Sequence, residues 1–105
     1  AHFDAVVQSD DAHSNSEVWR EIGATYNAAG QYEDARGAYE QFVSRRPSDA
    51  EGLYKLGLTL EALGRRQEAR ERMHDVIEAV RTAPIYKYRL ERQWLVEAEA
   101  FLRNQ

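Results

Sequence analysis

The sequence predicts an all-α fold built from stacked pairs of antiparallel helices. Gly23 and Gly57 lie 34 residues apart, each inside an apolar stretch with helical periodicity, and the chain repeats itself around them. A repeat of this length indicates units that bury their apolar faces only by stacking on their neighbours. Other identical residues coincide at this interval, among them Ala28 with Ala62, Gly30 with Gly64, Ala35 with Ala69, and Arg36 with Arg70.

The first helix of each unit is predicted from a capping box at its start and a glycine at its end. Ser14-Asn15-Ser16-Glu17 has the serine and glutamate spacing of a capping box, and so has Ser48-Asp49-Ala50-Glu51. Helices are therefore expected to begin near residues 15 and 49. Each should end at a glycine, Gly30 or Gly64, where a left-handed C-terminal cap costs least.

Two second helices and a final helix complete the prediction of five main helices. The second helices are expected over residues 32–45 and 66–81, and prolines follow both, at Pro47 and Pro84. The last helix is expected over residues 84–103, with Pro84 in its first turn, where a missing amide hydrogen costs nothing.

Within a unit, apolar residues three and four apart predict how the two helices face each other. One stripe carries Gly23 among larger side chains. A glycine inside a helix costs about 1 kcal/mol relative to alanine, so its return at Gly57 predicts a close approach of the paired helix. The first stripe contains Trp19, Ile22, Gly23 and Tyr26, and the facing stripe contains Ala35, Tyr39 and Phe42.

The start of the chain is interpreted as the tail of an earlier unit. Phe3, Val6 and Val7 copy the spacing of Tyr39, Phe42 and Val43. The expected organisation is a single domain over residues 1–105, belonging to a longer protein. Its parts are the tail over 1–13, repeats over 14–47 and 48–81, and a capping helix over 84–103.

Composition excludes several classes of function. The net charge is −4 and the two signs are interspersed, which predicts no nucleic-acid partner and no anionic membrane surface. No apolar run approaches the ~18 residues of a membrane span, so no membrane insertion is expected. There is no cysteine for a disulfide or a thiolate metal site. We expect a soluble protein, with the cytoplasm preferred, although a cysteine-free chain fits either redox environment.

No constellation of catalytic residues is visible, so the chain is not expected to be an enzyme and no metal or cofactor is expected. The three histidines have no metal-ligand spacing, and the serines lie at caps and loops. The arginines near residues 65–72 alternate with carboxylates and are interpreted as an ordinary charged face: Arg65, Arg66, Arg70 and Arg72. Two pairs four residues apart are expected to form ion pairs within a helix: Glu51 with Lys55, and Glu68 with Arg72.

The residues of the first unit resemble the tetratricopeptide repeat family. They are Trp19-x2-Ile22-Gly23-x2-Tyr26, then Gly30-Gln31-Tyr32-Glu33-Asp34-Ala35, Tyr39 and Pro47. The second copy keeps Leu53, Leu56, Gly57, Leu60, Gly64, Ala69 and Met73 but has Arg81 where proline is expected. The last segment keeps Leu90 and Trp94, has Glu91 in place of the glycine, and resembles the family's C-terminal capping helix.

The resemblance implies a right-handed superhelix whose first helices line a concave groove. It implies a protein-interaction scaffold that holds an extended or helical segment of a partner protein, without a cofactor. Two alternatives stay open. One is a homo-oligomerisation module, acting through the N-terminal fragment or through an apolar arc of Tyr86, Leu90, Trp94 and Phe101. The other is an accessory domain of a fused enzyme.

If the family geometry applies, the groove collects one polar stripe from each first helix. Tyr54 and Tyr88 hold equivalent places, and aromatic side chains with a polar tip are favoured at binding surfaces. The cation ladder, one basic residue per helix, consists of Arg20, Lys55 and Arg89. It could meet a partner's carboxylates or could instead pair within its own helices with Glu17, Glu21 and Glu51. The expected peptide-binding residues are Arg20, Ala24, Asn27, Tyr54, Lys55, Leu58, Tyr88, Arg89 and Arg92.

Overall fold

The described part of the chain consists of five α-helices joined by short connections. A computed structural model describes residues 12–104, and side chains from residue 17 onward. The expectation for Phe3, Val6 and Val7 lies outside these residues. The all-α prediction is confirmed, and no strand occurs between residues 12 and 104. The helices are α1 (Ala12–Ala28), α2 (Tyr32–Arg45), α3 (Ala50–Ala62), α4 (Arg66–Arg81) and α5 (Ile85–Arg103).

The helices pack in the order expected for stacked pairs. Helix α1 packs on α2 and α3 packs on α4, while α2 also contacts α3 and joins the pairs. Helix α5 packs on α4 and, less extensively, on α3. The shortest dimension of the molecule is 18 Å, which corresponds to two helix layers. One layer contains the first helices and α5, and the other contains α2 and α4.

The predicted bounds of α2 and α4 are confirmed, whereas the starts of the other helices differ. Helix α1 already includes Ala12, so Ser14 lies inside it and the predicted capping box is wrong. At α3 the N-cap is Asp49, whose carboxylate accepts a 2.9 Å hydrogen bond from the Gly52 amide, rather than Ser48. Pro84 is the N-cap residue of α5 and precedes its first turn.

Both predicted glycine C-caps are confirmed. Gly30 and Gly64 have φ angles of 77° and 80°, in the left-handed region that glycine enters without steric cost. At the first turn, the Gln31 amide donates to the Tyr26 carbonyl and the Gly30 amide donates to the Asn27 carbonyl. The same two bonds recur 34 residues later. They form a Schellman motif, which satisfies carbonyls that the helix end leaves free.

The core is continuous across the units because second helices contact the unit that follows. Tyr39 of α2 is fully buried and clusters with Leu56 and Leu60 of α3. Farther along, Val76 and Val80 of α4 pack with residues of α5, which include Leu95 and Ala98. Neither unit is therefore complete without the next.

Gly23 and Gly57 mark close approaches of the paired helices, as predicted. A Cβ at Gly23 would lie 2.8 Å from Cε1 of Tyr39, and one at Gly57 would lie 2.7 Å from Cε of Met73. Gly52 makes a third close contact, with the Phe42 ring, that the repeat pattern did not predict. Its equivalent in the first unit is Val18, so the 34-residue comparison gives no signal there.

Candidate functional site

The first-helix layer presents an exposed surface made by α1, α3 and α5. Cross-helix contacts connect its side chains. Arg20 of α1 reaches Glu51 of α3, and Tyr54 and Lys55 of α3 reach Trp94 of α5. Each contact therefore joins a residue of the predicted site to a residue of another helix that lies outside the predicted set.

Arg20 is held by neighbours in the protein. Its Nη1 donates to Oε1 of Glu51 at 3.2 Å, and its Nη2 lies 3.7 Å from Oε1 of Glu17. The guanidinium also lies 5.5 Å from the centre of the Phe42 ring. Arg20 therefore forms ion pairs within the protein, which was one of the two interpretations of the cation ladder. Its partner Glu17 lies on the same helix, as expected, whereas Glu51 lies in the next unit.

Glu51 was expected to pair with Lys55 on its own helix. That prediction is wrong, because Glu51 forms its ion pair with Arg20 of α1. Likewise Arg72 pairs with Asp75, at 3.0 Å, instead of with Glu68. Both differences have one cause. A helix surface offers partners three and four residues away as well as on neighbouring helices, and spacing alone does not choose among them.

An aromatic cluster lies between α3 and α5. The ring centres of Tyr54 and Trp94 are 5.4 Å apart with the planes inclined by 41°. Nζ of Lys55 lies 5.8 Å from the centre of the Trp94 ring, within the range of a cation–π interaction. Both Tyr54 and Trp94 are half-buried, and burial raises the pKa of the Tyr54 hydroxyl, which stays protonated at neutral pH. We call Tyr54, Lys55 and Trp94 the aromatic cluster.

Trp94 was missed as a member of the site. It occupies the repeat position of Leu60, which is buried in the core, so the sequence assigned it to packing or to an apolar arc. That arc is divided in the structure. Tyr86 and Leu90 are exposed, whereas Trp94 and Phe101 pack against the core. Tyr54 and Tyr88, which the sequence placed in the groove, are both half-buried and contact the core as well as solvent.

The remaining predicted residues fall into two groups. Ala24 on α1 is exposed, Asn27 is half-buried, and Leu58 on α3 packs partly against the core. Arg89 and Arg92 on α5 are exposed and line a shallow depression together with Gln93, Val96 and Glu97. Arg89, Arg92 and Glu97 form no ion pair with any residue that the structure describes.

Glu91 explains how the last helix departs from the repeat. It stands where Gly23 and Gly57 stand in the two units. Its carboxylate lies beside the backbone of Ala50 at the start of α3, and Oε1 is 3.8 Å from Nζ of Lys87. Desolvation by burial raises the pKa of Glu91, against the opposing effect of Lys87.

A family comparison agrees with this architecture. The model of the tetratricopeptide repeat family matches residues 21–84, which is more than half of the chain. The chain belongs to the tetratricopeptide repeat family. Proteins of this family are generally protein–protein interaction modules and typically non-catalytic scaffolds. Among curated proteins, none matches the chain.

Two further findings describe the tetratricopeptide chain. Between residues 12 and 104, no helix combines the length and the apolar composition needed to cross a membrane. The same residues contain no group of three or more histidine, aspartate or glutamate side chains arranged to hold a metal ion.

Proposed function

We propose that this tetratricopeptide domain binds an extended or helical segment of a partner protein along the exposed faces of α1, α3 and α5. The observation that carries the proposal is the aromatic cluster. It joins side chains from two successive helices of the first-helix layer and keeps part of each ring in contact with solvent. Half-exposed aromatic side chains with polar neighbours are favoured at protein interfaces.

The charges around the aromatic cluster define what the segment carries. Because Arg20 is neutralised by Glu51 and Glu17, the cations available to a partner's carboxylates are Lys55, Arg89 and Arg92. All lie toward the α5 end. The α1 end presents Glu17 and Glu21, both exposed. A segment with apolar side chains over the aromatic cluster and carboxylates toward α5 fits this distribution, and mixed charges imply a modest affinity, on the order of micromolar.

The test begins with capture of partners by this domain, followed by overlapping synthetic peptides that locate the bound segment. Tyr54→Ala with Tyr88→Ala should weaken binding of that peptide in calorimetry. The matched control is Arg65→Ala with Arg66→Ala, since these exposed residues lie in the second-helix layer. A larger effect of the control pair would place the ligand on the opposite layer and overturn the proposal.

A second measurement avoids the destabilisation that truncating a half-buried tyrosine can cause. Amide chemical shifts of the unmutated chain, recorded with and without the peptide, should change along the exposed faces of α1, α3 and α5. Raising the salt concentration should weaken binding only in part, because salt screens exposed charges and not the burial of aromatic rings. Changes confined to α2 and α4 would contradict the proposed groove.

A further inference from the structure

One half-buried carboxylate, that of Glu61, lacks the partner that the others of its kind have. Its side chain makes no hydrogen bond or ion pair with any residue that the structure describes, and one oxygen, Oε1, is buried. Buried polar atoms in proteins nearly always have a hydrogen-bond partner, so an exception calls for an explanation. The other half-buried carboxylates between residues 17 and 104 all have partners: Asp49 with Gly52, Glu51 with Arg20, Glu91 with Lys87, and Glu99 with Arg81.

Glu61 also lies in the last turn of α3, where a negative charge is costly. The free carbonyls at a helix C-terminus carry partial negative charge and favour a cation there. No residue in the last turn of α3 is basic. Burial of Oε1 adds a second cost, because an unpaired carboxylate oxygen loses its hydration without compensation. Both costs disappear when a cation pairs with Glu61.

Glu61 is aligned with the aromatic cluster along α3. Tyr54, Leu58 and Glu61 are spaced by four and three residues, which places them on one face of the helix. Tyr54 contacts Trp94 at one end of this stripe, and Leu58 packs partly against the core in its middle. Lys55, the basic residue of α3, is about 120° around the helix from Glu61 and lies over the Trp94 ring. The stripe therefore runs from an aromatic ring through an aliphatic side chain to an unpaired carboxylate.

We propose that Glu61 binds a lysine or arginine side chain of the partner segment that lies in the groove. This inference rests on the proposed function and adds the charge that the segment carries beside the C-terminal end of α3. Along the helix axis, Tyr54 and Glu61 are about 10.5 Å apart. An extended segment advances about 3.3 Å per residue, so its basic residue lies about three positions from the apolar residue over Tyr54. Hydrogen bonds between two charged groups are strong, so this contact should select among partner segments.

A synthetic peptide array tests this contact with the intact chain. Each peptide has leucine or tryptophan at one position, lysine about three positions away on either side, and varied residues elsewhere. A matched set has glutamine in place of lysine. The strongest binders should lose about tenfold in affinity when their lysine becomes glutamine, measured by fluorescence anisotropy. Glu61→Gln should bind both sets alike. Glu68→Gln removes the same charge from an exposed position on α4 and should keep the preference for lysine.

The stability of the unliganded chain gives a second readout. Glu61→Gln should raise the urea midpoint of unfolding, because it removes a buried charge that has no partner. Glu68→Gln should leave the midpoint unchanged. A lower midpoint for Glu61→Gln would show that the carboxylate is already stabilised in the free chain, and it would overturn the inference.

The inference is also overturned if lysine and glutamine peptides bind equally, or if the preference for lysine survives Glu61→Gln. The double variant Tyr54→Ala with Tyr88→Ala separates this failure from a failure of the groove. If the tyrosine substitutions weaken binding and Glu61→Gln leaves the preference unchanged, only the cation contact is wrong. If no peptide binds, or if the tyrosine substitutions have no effect, the groove proposal fails as well.

Discussion

Arg20 and Glu51 link the two repeats through a hydrogen-bonded ion pair of 3.2 Å between Nη1 and Oε1. The pair connects α1 to α3, two helices that have few other contacts. Both side chains remain about one-third exposed, so water and salt screen their attraction. The pair fixes the orientation of one groove cation more than it stabilises the fold.

A double-mutant cycle should give this pair a small coupling energy. Arg20→Gln, Glu51→Gln and the double variant are expected to show a coupling of about 0.2–1 kcal/mol in urea unfolding, the range of partly exposed pairs. The pair Arg81–Glu99, which is more exposed, should couple more weakly and serves as the reference. A coupling near zero for Arg20 and Glu51, or one below the reference, would show that the cross-repeat link has no energetic role.

Substitutions at the interior glycines should depend on the rigidity of the neighbour. Gly23→Leu and Gly57→Leu should each destabilise by about 1–3 kcal/mol through overpacking. With alanine the two should differ. The added methyl meets the buried Tyr39 ring at Gly23 but only the flexible end of Met73 at Gly57, so Gly23→Ala should cost more.

Gly37 is the control for these changes. It lies inside α2, and a Cβ there would meet nothing within 4 Å. Gly37→Ala should therefore stabilise, by about 0.5–1 kcal/mol, through helix propensity alone. Thermal melts in which all three alanine variants shift alike would refute the assignment of Gly23 and Gly57 to close helix contacts.

The start of α3 offers a test between two neighbouring caps. Asp49→Ala should destabilise by about 1 kcal/mol, because its carboxylate accepts from the Gly52 amide. Ser48→Ala should cost much less, since only the Ser48 backbone carbonyl is used, as an acceptor for Lys87. Chemical denaturation gives the free energy of unfolding of both variants. A larger decrease for Ser48→Ala than for Asp49→Ala would support Ser48 as the N-cap, as predicted from the sequence.

Glu91 should make stability depend on pH in the weakly acidic range. Because burial raises its pKa above the ordinary 4.5, the folded state holds the proton more tightly than the unfolded state. The cost of the buried charge is therefore present at neutral pH and disappears as the pH falls through the raised pKa toward 4.5.

Glu91→Gln keeps the shape without the charge, so it should equal or exceed the parent in stability at pH 7. The difference should close as the pH is lowered, because the parent becomes protonated. Exposed Glu71→Gln is the control, and urea midpoints across the pH range provide the measurement. If the parent instead lost stability relative to Glu91→Gln on acidification, the pKa of Glu91 would be lowered by folding and not raised. That result would contradict the desolvation of Glu91.

Repeat period and cap chemistry predicted most of the fold because they are local or periodic properties. The ends at Gly30 and Gly64 depend on the backbone of the glycine itself, and α2 and α4 lie within single amphipathic stretches. The start of α1 could not be placed in the same way. A serine favourable at a cap is also tolerated inside a helix when the preceding residues continue it.

The candidate site was predicted less completely because its members depend on neighbouring helices. The repeat register placed Tyr54 and Tyr88 on the first-helix layer, but the partners of each side chain come from other elements. Trp94 could not be assigned from its repeat equivalent, since Leu60 is buried in the core whereas Trp94 is half-buried and contacts Tyr54 and Lys55 of α3. Ion pairs between residues far apart in the sequence, such as Arg20 with Glu51, cannot be predicted from the spacing of residues along one helix.

The number of neighbouring helices that hold a helix sets the order in which α1 and α3 open. Among the described helices, α1 packs extensively only on α2, whereas α3 contacts α2, α4 and α5. In a stack whose units depend on nearest neighbours, a helix held by one neighbour opens more easily than a helix held by three. Amides of α1 should therefore exchange with solvent before those of α3. A partner contact at Arg20 would therefore meet a helix that opens more often, whereas a contact at Tyr54 and Lys55 would meet a helix that opens less often.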